Sequence, residues 1–282
     1  MDGQTGCDDW LALMIGNSRL HWAWFVGDQL QSAWNSEHLT NFGPPSPPFW
    51  NAREGYSLGG ILERASLSSR ERAVRRSQKE NLDKLPIVLA SVVPAQTNLW
   101  QDYPHLQILT LEQIPLQHSY PTLGIDRALA LWGAGEVYGW PALVIDAGTA
   151  LTFTGGNAQR QLVGGAILPG LSLQVRALAD KTAALPAIAL PETLPKRWAN
   201  DTQDAIASGI VYTVLAGVVD FIQDWRQEFP GGAVVMTGGD RTLLHQYLHQ
   251  HPELAAHIHI DPNLIFWGMQ TCRTEPDSAG SR

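Results

Sequence analysis

The stretch Val144–Thr154, VIDAGTALTFT, places a carboxylate at the end of an apolar run and follows it with a glycine and a second, Thr-rich run. Aspartate is a poor strand former, and an ionised carboxylate is costly to bury without partners. Two interpretations compete. In the first, Asp146 bonds to nearby backbone in a hairpin that bends at Gly148. In the second, Asp146 belongs to a ligand site, where a metal ion or a phosphate group compensates the carboxylate.

A stretch near the N-terminus has the same order of features. Residues 11–22, LALMIGNSRLHW, also combine an apolar strand, a turn of Gly with small polar residues, and a second strand. Gly16–Ser18 aligns with Gly148–Ala150. Such a repeat resembles the actin-like ATPase superfamily, in which one hairpin per domain holds nucleotide phosphates through backbone N–H groups and Asn, Ser or Thr side chains. The repeat therefore favours the ligand-site interpretation of Asp146.

The remaining chain alternates strands with helices, which indicates an α/β unit in each half. Residues 41–60 are rich in Pro, Gly and Ser and predict an irregular connection, whereas the mixed charge of residues 61–84 predicts a solvated helix, with a basic anion site as the alternative. Apolar periodicity predicts the following elements: three strands within 10–36, a strand at 85–94, a helix from near Asp126, strands at 141–148, 150–156 and 161–170, helices at 170–182 and 202–228, a strand at 233–239, a helix at 240–250, a strand at 257–261 and a helix from Asn263.

Composition limits the classes of function. The 282 residues leave room for two domains, and the net charge of -8 argues against general nucleic-acid binding. Cys7 and Cys272 form neither a disulfide framework nor a zinc cluster, so a reducing compartment fits. The first ten residues are acidic where a signal peptide is basic, and no run of about eighteen apolar residues follows. We therefore expect a cytoplasmic protein without a membrane partner.

Four further segments carry side chains or glycines suited to ligands, although each also has an ordinary structural interpretation. Asp126 in LGIDR lies at a helix start, where the dipole favours an ionised carboxylate, or is a plain N-cap. Residues 164–170, GGAILPG, allow close approach to backbone, or contain a glycine bulge. Residues 236–240, MTGGD, open into a helix N-terminus, which is either an anion site or a plain turn. Residues 201–209 are a fourth candidate, or only a capped helix start.

Taken together and in this order, the segments resemble the type III pantothenate kinases. The similarity runs from about residue 11 to residue 268 and ends in DPNLIFWG. It implies two actin-like (ribonuclease H-like) α/β domains facing each other across a nucleotide cleft, which we place at residues 10–121 and 122–271. Residues 1–9 and 272–282 are then expected to be disordered tails.

The resemblance implies the ATP-dependent phosphorylation of pantothenate to 4′-phosphopantothenate, the first step of coenzyme A biosynthesis, by a homodimer. It implies Mg²⁺ with ATP and a monovalent cation, K⁺ or NH₄⁺, held by Asp146. Asp126 is then the catalytic proton acceptor. The implied pantothenate-binding residues are Tyr120, Gly124, Ile125, Asp126, Arg127 and Thr202. The implied ATP-binding residues are Met14, Ile15, Gly16, Asn17, Ser18, Arg19, Leu20, His21 and Thr149.

One position departs from the pattern of that family. Its first motif normally begins with Asp two residues before the Gly of the hairpin turn, where this chain has Met14. Met14 also aligns with Asp146 in the internal repeat. Two other functions therefore stay open: a non-catalytic regulator on the same fold, and a kinase for another small hydroxylated metabolite. Retention of Asp126, Arg127, Asp146 and Thr149 argues against the regulator.

Overall fold

The computed structural model describes residues 9–38 and 85–273, which form two compact units. Of these residues, unit 1 comprises 9–38, 85–114, 123–129 and 268–273, and unit 2 comprises 115–122 and 130–267. The helix Ile125–Tyr138 has residues in both units. The division of the chain near residue 121 remains a prediction.

Unit 1 is built on a five-stranded mixed sheet in the order β3-β2-β1-β4-β5. Its strands are β1 (Asp9–Ile15), β2 (Leu20–Val26), β3 (Gln29–Ser36), β4 (Ile87–Ser91) and β5 (Leu106–Ile108). The central strand β1 is buried along its whole length, which is why its sequence is an almost unbroken apolar run. The edge strand β3 alternates exposed with half-buried residues, as a strand with one wet face does.

Unit 2 contains a second sheet with the same order of strands, β8-β7-β6-β9-β10. Its strands are β6 (Ala142–Ala147), β7 (Ala150–Gly156), β8 (Leu162–Pro169), β9 (Ala233–Thr237) and β10 (Ile258–Ile260). In each sheet the first three strands form an antiparallel meander and the fourth pairs in parallel with the first. The internal repeat predicted from the sequence is therefore confirmed, as is the predicted α/β class with one sheet in each of two units.

The helices of the described residues fall close to the predicted positions. They are α1 (Pro94–Thr97), α2 (Ile125–Tyr138), α3 (Leu171–Lys181), α4 (Thr202–Glu228), α5 (Arg241–Tyr247), α6 (Pro252–Ala255) and α7 (Leu264–Cys272), with 3₁₀ turns at Asn98–Trp100, Leu111–Gln113 and Leu248–Gln250. The sequence did not predict β5, α1, α6 or the 3₁₀ turns.

Helix α4 carries the largest apolar face of unit 2. Ile206, Ile210, Val214 and Val218 lie along one side of the helix and are buried in the core of the unit together with β6 and β9. A four-residue spacing of apolar residues predicts either a subunit contact or an intrachain core face, and in α4 the four residues form a core face. Helix α4 is also long and apolar enough to cross a membrane by length and composition, a test that the buried core helix of a soluble protein passes as well.

Several predictions fall on residues outside the described part of the chain. These are the irregular connection at 41–60, the charged helix at 61–84, Cys7, and most of both predicted tails. At the inner edges of those tails, Asp9 is the first residue of β1 and Cys272 the last of α7, so these two residues are ordered parts of the fold.

Candidate active site

The turn between β6 and β7 in unit 2 consists of Gly148 and Thr149. Asp146 occupies the last position but one of β6, is half-buried, and pairs across the hairpin with Thr152. The turn closes through a hydrogen bond from Gly148 N to Ala150 O of 3.1 Å. Thr149 is exposed at its tip. The carboxylate predicted as a cation ligand therefore lies at the base of a tight turn whose threonine is open to a ligand.

The glycine-rich segment that ends β8 packs directly on this turn. Gly170 N donates to Thr149 O at 2.9 Å. A Cβ at position 170 would overlap Gly148 O, so only glycine allows this approach. The sequence predicted close backbone approach in GGAILPG, and the structure shows that the turn itself is what approaches.

The segment after β9 reaches the turn as well. Asp240 N donates to Ala147 O at 2.8 Å. Gly238 has a φ of +90°, and a Cβ there would overlap Asp146 Oδ1. The structure thus brings together three segments that the sequence singled out separately: residues 146–149, Gly170 and residues 238–240. Thr202, the first residue of α4, is exposed, as is Tyr120, which is 41% exposed.

The corresponding turn in unit 1, Gly16–Arg19, connects β1 to β2. Asn17, Ser18 and Arg19 are exposed, and Gly16 N donates to Arg19 O at 3.0 Å. The neighbouring predicted ATP residues Met14, Ile15 and Leu20 have side chains buried in the sheet. Contact of those three residues with a nucleotide is therefore limited to backbone groups.

His38 and Asn35, which the sequence did not single out, support the unit 1 turn. His38 Nε2 lies 2.7 Å from Gly16 O, and Asn35 Oδ1 lies 2.7 Å from His21 Nδ1. Asn35 is the cross-strand partner of His21 in the β2–β3 pairing. The hairpin register was therefore the one signal in the sequence that could have identified Asn35.

Met14 is 1% exposed and lies opposite His21 in the β1–β2 pairing. Burial lowers the pKa of His21, the Asn35 hydrogen bond opposes this effect, and the charges of Arg19 and His38 lower the pKa further. His21 therefore adds less positive charge near the turn than its position in the sequence indicated, which leaves Arg19 as the cation of this turn.

Asp126 occupies the first turn of α2 and accepts a hydrogen bond from Arg127 N at 2.8 Å. A Cβ at Gly124 would overlap Asp126 Oδ1, so the glycine gives this carboxylate its place. Burial raises the pKa of Asp126, while the Arg127 N–H and the Arg127 charge act in the opposite direction. The N–H group at the helix start favours the ionised form, as the sequence predicts, but desolvation outweighs it and the Arg127 charge, so the pKa is raised on balance. Ile125 and Arg127 are buried beside it.

The residues around Asp146 fit a bound cation in their chemistry. Gly148 and Gly238 lie close to Asp146 Oδ1, and a Cβ at Gly238 would overlap both this oxygen and the Ala147 carbonyl, so only glycine fits against the carboxylate there. Carboxylate and carbonyl oxygens suit hard cations. The Gly238 carbonyl already accepts from Arg241 Nη1 at 2.7 Å. Among residues 9–38 and 85–273, no group of three or more His, Cys, Asp or Glu side chains is placed to hold a metal ion.

The raised pKa of Asp126 predicts a stability gain on its neutralisation. Because folding favours the protonated form, burying the ionised carboxylate destabilises the native state. This destabilisation is absent below the ordinary pKa of 3.8 and grows as the pH rises through the raised pKa. We expect Asp126→Asn to raise the Tm at pH 8, with the gain shrinking as the pH falls toward 4. Thermal unfolding of both proteins across that pH range, with the exposed Asp102→Asn as control, measures it. A Tm gain that grows at low pH would contradict the assignment.

Comparisons with known proteins show the family to which this chain belongs. Residues 53–224 match the family model of the type III pantothenate kinases. The chain is 48% identical over 270 residues to the type III pantothenate kinase of a Nostoc species, covering 94% of both chains. It is 46% identical to that of a Synechocystis species, covering 92% of this chain and 88% of the relative. A crystal structure of a Baf family protein from Campylobacter jejuni, described as a transcriptional activator, shares the fold with a TM-score of 0.57 at 20% identity, covering 93% of this chain and 96% of that one. The chain belongs to the type III pantothenate kinase family.

Proposed function

We propose that this kinase transfers the γ-phosphoryl group of ATP to the terminal hydroxyl of pantothenate with Asp126 as proton acceptor, giving ADP and 4′-phosphopantothenate in the first step of coenzyme A biosynthesis. Membership of the family makes the chain an ATP-using phosphotransferase, and ATP brings its divalent metal with it. The observation that carries the residue assignments is the convergence of residues 146–149, Gly170 and residues 238–240 on one turn.

Unit 2 is assigned to ATP through Thr149. Phosphoryl transfer depends on positioning and on neutralising charge more than on covalent help from the protein. The exposed Thr149 offers a hydroxyl donor on a turn whose flanking carbonyls accept hydrogen bonds from Gly170 N and Asp240 N. In unit 1, the exposed Asn17, Ser18 and Arg19 offer an amide, a hydroxyl and a guanidinium to phosphate oxygens.

Asp126 is assigned to the acceptor hydroxyl. A general base has to accept a proton from the attacking hydroxyl, and its efficiency rises as its pKa approaches the working pH. Burial moves the pKa of Asp126 in that direction. The resemblance adds Gly124, Ile125, Arg127, Tyr120 and Thr202 as pantothenate-binding residues. Thr202 and Tyr120 are both exposed, so a ligand or a second subunit can reach their side chains.

Met14 is compatible with an active enzyme. Its side chain is buried in the sheet and offers nothing to a cation, so unit 1 contributes only hydrogen-bond donors and Arg19. Phosphate oxygens are held by such donors without a carboxylate. The expected cost of Met14 is weaker binding of ATP with its metal, and not absent chemistry. The regulator alternative requires a protein without turnover, and the alternative metabolite kinase requires another acceptor.

A K⁺ or NH₄⁺ ion is proposed at Asp146. When bound there, the ion supplies positive charge beside the phosphate-contacting turn. Asp146 holds the ion through its carboxylate, which lies at the base of the Gly148–Thr149 turn. A cytoplasmic location is proposed alongside this, since the metabolite substrates and the cation belong to that compartment.

A homodimer is proposed on the resemblance and on apolar side chains that unit 2 leaves exposed. Ile167 on the edge strand β8 is 64% exposed and Trp198, shortly before α4, is 89% exposed. Tryptophan is enriched among the residues that contribute most to subunit contacts.

The reaction assignment predicts turnover of pantothenate with ATP, Mg²⁺ and K⁺, and none of comparable kcat/KM with a panel of sugars and hydroxy acids. Asp126→Asn should lower kcat by roughly 10²–10⁴, the usual contribution of a positioned acid–base group, with little change in KM for ATP. Asp102→Asn, an exposed carboxylate of the same unit, should match the wild type. Near-normal turnover in Asp126→Asn would remove it from the mechanism, and a wild type without turnover that Met14→Asp revives would favour the regulator.

The cation assignment predicts that activity rises with K⁺ or NH₄⁺ and not with Na⁺. Asp146→Asn keeps the shape of the side chain but removes its charge, and it should lose most of the K⁺ response with at least about a tenfold fall in activity. Initial rates in chloride salts at constant ionic strength measure this. Equal rates in Na⁺ and K⁺ would disprove the cation at Asp146.

The dimer predicts a solution mass twice the chain mass of 30.9 kDa. Light scattering at micromolar concentration measures it, and Trp198→Ala should weaken the association. A wild type with the mass of one chain would disprove the dimer.

A further inference from the structure

Asp240 contacts the proposed ATP turn through its backbone and not through its side chain. Its N–H donates to Ala147 O at 2.8 Å, immediately before Gly148. Asp240 is the N-cap residue of α5, yet its carboxylate makes no capping hydrogen bond to α5. Since aspartate at an N-cap usually bonds to its own helix, the carboxylate is used elsewhere.

The carboxylate of Asp240 serves the start of a different helix, α3. It accepts hydrogen bonds from the backbone N–H and from the hydroxyl of Ser172, in the first turn of α3. The N-cap residue of α3 is Gly170, which has no side chain to cap with. Asp240 thus supplies α3 with the anionic cap that its own sequence lacks, from a position far along the chain.

The surroundings of the Asp240 carboxylate make its ionised form costly to bury. Burial raises the pKa of Asp240, and the two Ser172 hydrogen bonds and the charge of Arg176, one turn further along α3, act against that rise. On the other side, burial and then the Asp240 charge raise the pKa of Tyr247 to about 12. A carboxylate kept at such a place is a candidate for a functional role.

The contacts of Asp240 and Gly170 close a ring around the turn. From Ala147 O the ring passes to Asp240 N, from the Asp240 carboxylate to Ser172, and back along the chain to Gly170, whose N–H donates to Thr149 O at 2.9 Å. Gly170 has no room to shift toward the turn, because even a Cβ there would overlap Gly148 O. Both carbonyls that flank Gly148 are therefore fixed by one connected set of bonds.

We propose that Asp240 is a positioning residue for ATP: through Ser172 and Ala147 it fixes the Gly148–Thr149 turn in the geometry that receives the nucleotide phosphates. This inference rests on the proposed assignment of ATP to Thr149. Asp240 itself touches neither substrate in this scheme. Its loss changes how well the turn is preformed, which weakens nucleotide binding more than the chemical step.

The test compares Asp240→Asn, Asp240→Ala and Ser172→Ala in the steady-state assay, with ADP binding by calorimetry as a readout that does not depend on turnover. We expect KM for ATP to rise by roughly 5–20-fold in Asp240→Ala and less in Asp240→Asn, which keeps one acceptor oxygen. The Kd of ADP should rise in parallel, while KM for pantothenate at saturating ATP stays within about twofold. Ser172→Thr, which keeps the hydroxyl, should restore what Ser172→Ala loses.

Asp261→Asn is the matched control. Asp261 is also a buried aspartate of unit 2 placed just before a helix, and its carboxylate accepts hydrogen bonds from Tyr138 Oη, Trp267 Nε1 and Asn263 N at 2.7–3.0 Å. None of these three hydrogen bonds joins Asp261 to the Gly148–Thr149 turn. Asp261→Asn removes the charge that accepts these three bonds, but it should leave KM for ATP unchanged.

The outcomes separate this inference from the assignment beneath it. Thr149→Val removes the hydroxyl from the turn and should raise KM for ATP; if it does not, the ATP assignment is wrong. If Thr149→Val raises KM for ATP but Asp240→Ala and Ser172→Ala do not, the positioning role is wrong. Equal KM changes in Asp240→Ala and Asp261→Asn would also overturn it, because both changes would then result from general destabilisation. If Asp240→Ala does not fold, Ser172→Ala carries the test alone.

Discussion

The carbonyl groups on either side of Gly148 impose the constraint on which unit 2 depends. A buried backbone acceptor needs a donor, and a two-residue turn cannot supply enough of its own. Ala147 O and Thr149 O take theirs from Asp240 and Gly170, which follow β9 and β8 respectively. This requirement explains why glycines recur in segments far apart in sequence, since a Cβ at Gly148, Gly170 or Gly238 would meet the turn or the Asp146 carboxylate. The glycine-rich segments proposed to bind phosphate are therefore packing motifs as well.

Much of the fold was predictable because the burial of each strand determines its pattern of apolar residues. The all-buried β1 is an apolar run, the half-exposed β3 alternates, and the same strand–turn–strand order occurs twice. The three residues of β5 are only partly buried and give no periodic signal, so that strand was missed. The stripe on α4 shows a different limit. Period alone reveals an apolar face, and only the folded chain shows that the face packs on the unit's own sheet.

In the candidate site, too, the features that depend on local sequence were predictable and those that depend on the folded chain were not. Residue type and order identified Asp126, Asp146 and the glycine-rich segments, because those depend on local chemistry. The rise in the pKa of Asp126 was not predicted, since the helix start is visible in the sequence and the burial that outweighs it is not. The Asp240–Ser172 contact was invisible for a related reason: it joins residues far apart in the chain, each of which looks like an ordinary helix start by itself.

The two hairpins show how a duplicated element comes to hold unequal roles. Met14 and Asp146 are equivalent positions in the repeat, but Met14 is buried opposite His21, whereas Asp146 is half-buried opposite Thr152. An aspartate at position 14 would have to be ionised within that burial, where desolvation works against its charge. The unit 1 turn is also longer, running from Gly16 to Arg19, and presents a guanidinium of its own. Under the proposed assignment Arg19 meets the phosphate oxygens directly, so the unit 1 hairpin has less need than the unit 2 hairpin of a carboxylate that would hold a cation beside them.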